Sequence, residues 1–149
     1  MSYFVLIGLF AVSSVAQVGC QGSSTGPGEV GFDYDALAQA LSRTGLELEK
    51  KGEVEQEFFA VGGRVLTLDG EDVQVFEYEN AQAAASDAAK VSPDGGSIGT
   101  AMVHWLGPPH FFRRDRIIAL YVGEKTSVKE ALESVLGPQF AGVADQPKQ

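Results

Sequence analysis

The stretch VGGRVLTLDGEDVQVFEY, residues 61–78, holds two apolar runs on either side of an Asp-Gly pair. Valine, leucine, threonine and phenylalanine suit a pleated, half-buried surface. Asp69-Gly70 supplies the residues that best tolerate positive φ, which a two-residue hairpin turn requires. The stretch therefore reads as a strand Val61–Leu68, a tight turn, and an antiparallel strand Val73–Tyr78. A sheet built from hairpins is mainly antiparallel and can be covered by helices.

Upstream, Leu46 and Leu48 alternate with Glu47 and Glu49, which is strand spacing. Before them, Leu37, Ala38 and Leu41 form the inward stripe of a helix from about Asp33 to Thr44. Asp33 or Asp35 serves as its cap and Gly45 as its stop. Downstream, Asn80 caps a helix whose inner positions are Ala81, Ala84, Ala85 and Ala88. The run Ser92-Pro93-Asp94-Gly95-Gly96 breaks the chain. Two more strands are expected, Thr100–Leu106 and Ile117–Val122, and the second is apolar on both faces and so central. The last helix has a capping box at Ser127 and Glu130, a stripe of Val128, Leu132, Val135 and Leu136, and a stop at Gly137-Pro138. The expected fold is α+β, two-layered, with a mainly antiparallel five-stranded sheet and three helices on one face.

The chain has 149 residues and a formal net charge of −9, with a single cysteine, Cys20. A nucleic-acid partner is not expected, because such proteins carry a broad basic face. One cysteine makes no internal disulfide and no cysteine-rich metal site. Residues Phe4–Val12 are apolar or glycine, and small residues follow at Ala11, Ser13, Ser14 and Ala16. This is the pattern of a secretory signal, and the run is short beside the 20 or so apolar residues of a membrane span.

Val18-Gly19-Cys20 resembles the end of a bacterial lipoprotein precursor signal, in which a small residue precedes a cysteine that is lipidated and becomes the first residue. The resemblance covers the N-terminus alone. Gln17 stands where such signals carry an aliphatic residue, and no Lys or Arg precedes the apolar run. It implies a signal peptide over 1–19, lipid on Cys20, a membrane partner through that lipid, and a place in the cell envelope outside the cytoplasm. A cut after Ala16 is the alternative, leaving a soluble protein with a free thiol. Residues 20–31, rich in glycine and serine, read as a tether. The domain then spans 32–142, with a frayed tail over 143–149.

No catalytic set, metal site or cofactor motif stands out. Gly22–Gly26 and Gly95–Gly99 both fit glycine-x-serine-x-glycine, but neither has the strand before and helix after that a nucleophile elbow needs. His104 shares a strand face with Met102 and Leu106 and reads as a half-buried structural histidine. A metal at His104, His110 and Asp115 lacks any tight ligand spacing. The alternating Glu47, Glu49, Glu53, Glu55 and Glu57 read as a solvated face, without the calcium-loop pattern.

The segment Gly107–Arg116 is the candidate binding site: Pro109, His110, Phe111, Phe112, Arg113 and Arg114 link two apolar strands in an acidic protein. Aromatics beside arginines suit an anionic membrane surface or a protein partner. The competing reading is that the phenylalanines begin the last strand, where adjacent residues point to opposite faces. The function expected is a non-catalytic binding or accessory module. Two alternatives are a small hydrolase using Ser97 or His110 and an inhibitor inserting the Pro108–Phe112 turn into a target.

Overall fold

The hairpin about Asp69-Gly70 forms as its sequence directs. Strands β2 (Gly63–Leu68) and β3 (Glu71–Glu77) pair antiparallel, with Leu68 opposite Glu71. Asp69 and Gly70 both take positive φ, 54° and 84°, the backbone of a two-residue turn that matches sheet twist. The computed structural model describes residues 31–143. The expectations for the signal segment 1–19, Cys20, the tether up to 30 and the tail beyond 143 fall outside the described residues.

The remaining elements are α1 (Tyr34–Ser42), β1 (Leu48–Val54), α2 (Ala81–Ala88), β4 (Ser97–Ile98), β5 (Ala101–Met102), β6 (Pro109–Arg114), β7 (Ile117–Val122), α3 (Thr126–Leu136) and β8 (Ala141–Gly142). The main sheet is ordered β1-β2-β3-β7-β6-β8, and every neighbouring pair is antiparallel. The fold is α+β. The sheet has six strands where five were expected, because β6 and the two-residue β8 join it and β5 does not. Instead β4 and β5 make a separate ribbon.

Strand β7 is central, and Ile117, Ile118, Ala119, Leu120 and Tyr121 are all buried. Burying each large apolar side chain contributes about 1.5–3 kcal/mol, so this strand anchors the sheet. Alternation sends Ile117, Ala119 and Tyr121 into one core with α1 and α3, and Ile118 and Leu120 into a second core on the other face. Helix α2 packs in that second core through Ala84 and Ala88. The three helices thus divide between the two faces. The alanine spacing identified the inner side of α2 but carried no information about which face it would meet.

Caps follow the sequence at two helices and differ at the third. Asp33 Oδ1 accepts from Ala36 N–H at 2.8 Å, and Asn80 Oδ1 from Ala83 N–H at 2.9 Å. Helix α3 has no side-chain cap. Its start is fixed instead by Lys125, whose N–H donates to Tyr121 Oη and whose Nζ pairs with Asp69 Oδ2 at 2.7 Å. That tie begins the helix at Thr126, so Ser127 falls inside it and the expected box does not form.

Candidate functional site

Residues 107–116 are not a linker. Pro109 opens β6 as its first residue, a place where a missing N–H costs the ladder least. Pro109, His110, Phe111 and Phe112 are buried, while Arg113 and Arg114 are exposed. Phe111 points into the second core, 5.8 Å from Trp105 with the rings edge to face, and Phe112 points into the first. The aromatic half of the expected docking surface is therefore core, for the geometric reason that adjacent strand residues face opposite ways. Pro108–Phe112 likewise forms no protruding tip for insertion into a target.

The arginine half stands at one end of the sheet. Strand β6 turns into β7 at Asp115-Arg116, with Asp115 at φ 53° and Arg114 opposite Ile117. Asp115 Oδ2 accepts from Phe32 N–H at 2.9 Å, and the Arg114 guanidinium lies 4.3 Å from the Phe32 ring centroid. Arg114 Nη1 also donates to Val135 O at 2.7 Å. Arg116 pairs with Glu77 Oε1 at 2.7 Å, and Glu77 also pairs with Arg64. Arg64 in turn covers the Tyr34 ring at 3.9 Å. Among the described residues Arg113 has no ion-pair partner. The chain thus enters the domain on the turn that carries Arg113, Arg114 and Arg116.

The opposite end is acidic. Asp69, Glu71 and Asp72 surround the β2–β3 turn, with Glu47 before β1 and Glu124 after β7. Lys125 and Lys51 offset Asp69 and Asp72 only in part. The arginine turn also carries Asp115, and Arg116 pairs there with Glu77 and Asp33, so the two ends differ in that the far end is more acidic and Arg113 and Arg114 are the exposed cations of the near one.

Ser97 and His110 do not assemble. Ile98 seats β4 in the second core, whereas His110 shares the other face with Phe112 and Tyr121. Both nitrogens of His110 are engaged, Nδ1 with Gln139 Oε1 at 2.7 Å and Nε2 with Gly123 O at 3.1 Å. The hydrolase reading loses the joined pair it needs. His104 is exposed beside Met102 and Leu106, while Val103 and Trp105 pack inward and Trp105 Nε1 donates to Gly95 O at 2.7 Å. The expected half-buried histidine is corrected: the alternation holds, and the tryptophan face is the inner one. Among the described residues no group of three or more His, Cys, Asp or Glu is placed to hold a metal. The glutamates of β1 lie on an exposed edge strand.

One residue the sequence reading passed over is Asp87. It continues the Ala84–Ala88 stripe of α2, yet its carboxylate is 5% exposed. It accepts from Ala60 N–H at 2.8 Å, Tyr78 Oη at 2.9 Å and Lys90 Nζ at 2.5 Å. Burial pulls its pKa up, and these three donors outweigh that and hold it below the usual carboxylate value. Burial and the adjacent carboxylate push the Tyr78 phenol far above its ordinary range. This node ties the 55–61 segment to α2 and is structural.

The class defined here is an α+β protein with a six-stranded antiparallel sheet between helices, entered at an arginine-bearing turn. Comparison with protein-family models, characterised proteins and solved structures returns no match for this chain.

Proposed function

We propose that this chain is a lipid-anchored accessory protein of the bacterial cell envelope, attached outside the cytoplasm through Cys20 and acting by binding. The observation that carries the reading is the apolar run Phe4–Val12 leading into Val18-Gly19-Cys20, followed by a glycine- and serine-rich tether. Acyl chains contribute about 0.8 kcal/mol per buried methylene, so two or three chains hold firmly where one is marginal. No helix among the described residues is long and apolar enough to cross a membrane.

The anchor is tested by the intact mass and membrane partition of the full-length protein made in a bacterial host. A diacyl or triacyl adduct on a chain starting at Cys20, lost in Cys20→Ser, is the expected result. A lipid-free chain starting at Gln17 overturns it and makes the protein soluble.

The site adds an orientation to this reading. The tether meets the domain at Phe32, on the arginine turn, so Arg113 and Arg114 face anionic headgroups while the acidic end points away. Each arginine near such a surface contributes about 1 kcal/mol. On bilayers of anionic lipid carrying a paramagnetic headgroup, amides 113–116 of the lipidated protein broaden more than amides 69–72. Arg113→Glu with Arg114→Glu removes that contrast. Equal broadening in the unmodified protein excludes the orientation and leaves the anchor itself untouched.

A further inference from the structure

We propose that the outward face of residues 102–106, Met102 with His104 and Leu106, is a docking site for a protein partner that offers an apolar pocket rimmed by lysine or arginine. Alternation makes the stripe. Val103 and Trp105 pack against the second core, so the residues between and beside them face water. Leu106 is fully exposed and Met102 is 80% exposed. Single exposed apolar residues are ordinary on a protein surface, but these two share one face of one segment with an exposed histidine between them. Neither side chain serves the core, where a polar residue would stand as well.

The stripe is held in place from behind. Met102 pairs with Ser97 in the β4–β5 ribbon, and Val103 N–H donates to Gly96 O at 3.0 Å. The Trp105 indole donates to Gly95 O at 2.7 Å, and its ring meets Phe58 and Phe111 edge to face at 5.9 and 5.8 Å. Just past Leu106, Gly123 N–H donates to Pro108 O at 3.0 Å. With the segment fixed on both sides, little has to be ordered on binding, and more of the gain from apolar contact is kept.

Charge selects the occupant. Residues 91–112 contain no lysine or arginine, and Asp94 is the one acid among them. Pro108 lies against Gly123, so the stripe adjoins the acidic end of the sheet, where Glu124 is exposed and Asp69, Glu71 and Asp72 occupy the neighbouring turn. Lys125 and Lys51 there are already paired with Asp69 and Asp72. An anionic lipid surface is repelled by this setting, and so is a second copy presenting the same end. A basic rim is attracted and steers the approach, while the apolar stripe holds the complex. The stripe precedes β6 and the arginine turn follows it, so a chain anchored through its N-terminus carries the stripe away from the bilayer. This partner class fills the binding role proposed above and rests on that role, whereas the anchor is not needed for it.

The test uses the full-length protein on nanodiscs of zwitterionic lipid, or free in solution if it carries no lipid. Three peptides of equal length are compared, alternating leucine with lysine, serine with lysine, and leucine with glutamate. Trp105 is the only tryptophan, so its emission reports on the stripe beside it. The leucine–lysine peptide is expected to shift the amides of 102–106 and the Trp105 emission. It is expected to bind about tenfold more tightly than either of the others, the worth of one large apolar side chain buried. Met102→Ser with Leu106→Ser removes that preference and leaves the urea midpoint in place, because both positions are exposed. Equal binding of the serine–lysine or the leucine–glutamate peptide overturns the docking site. So does a preference that survives the double variant, or the absence of any shift at 102–106. Broadening of 102–106 by anionic vesicles, or a dimer lost in the double variant, overturns it too and gives the stripe to a lipid surface or to a second copy.

Discussion

Phe111→Ala and Phe112→Ala each lower the stability of this domain by about 3–5 kcal/mol, and the pair together leaves it largely unfolded at room temperature. The two rings are 0% and 2% exposed and belong to different cores, so each deletion opens a separate cavity. Phe111 loses its edge contact with Trp105 at 5.8 Å and its tilted contact with Phe140 at 6.1 Å. Phe112 leaves a gap beneath α1 and α3. They face different cores but share one strand backbone, so a double-mutant cycle measures how far the two losses couple. Urea midpoints of the single variants measure each loss directly. An exposed aromatic pair would instead leave the midpoint in place, as Arg113→Ala does to within about 0.5 kcal/mol. The contrast separates a core role for the phenylalanines from a surface role for the arginines, which composition alone could not do.

What was legible in the chain was local. The Asp69-Gly70 turn, the Asp33 and Asn80 caps and the doubly apolar Ile117–Val122 run each carry their instruction within a few residues. What was hidden depended on partners far away in sequence. Strand β8 is too short to show alternation, and its place is set by the approach of Gly142 to Pro109. The Pro108-Pro109 pair read as a loop, yet a proline at the first strand position continues into β6 without loss. At Met102–Leu106 the alternation was visible, but the choice of inner face was not. Leu106 and Met102 are apolar enough to go inside, and Trp105 displaced them by offering an N–H to Gly95 O and a ring to Phe58 and Phe111. The candidate site divided along the same line. Arg113 and Arg114 were found as exposed charge, while the meeting of the turn with Phe32 required the fold.

Asp87 escaped notice because a carboxylate on an alanine stripe looks like a solvated position, and it is here that the second large effect is expected. Asp87→Ala removes the acceptor for the buried Tyr78 Oη and for the part-buried Ala60 N–H. An orphaned buried donor costs about 1–3 kcal/mol and Ala60 is exposed enough to turn to water, so the variant loses about 2 kcal/mol. Lys90 adds little to that loss, since its side chain is 50% exposed and its charge returns to water. Lys90→Ala is accordingly expected to cost under about 1 kcal/mol. The pH dependence distinguishes the mechanism from simple loss of packing. The folded-state pKa of Asp87 lies below its ordinary value of 3.8, so the unfolded chain takes up the proton first as pH falls. The stabilisation is fully present above that ordinary value and declines as pH drops through the folded value. The gap in urea midpoint between the native sequence and Asp87→Ala should therefore be constant from about pH 7 to pH 5 and narrow below about pH 4. A gap that stays constant into strong acid would mean that the charge of Asp87 contributes nothing and that only its shape fills the site. A gap that narrows identifies the carboxylate as the group that pins the Phe58–Phe59 segment over the second core.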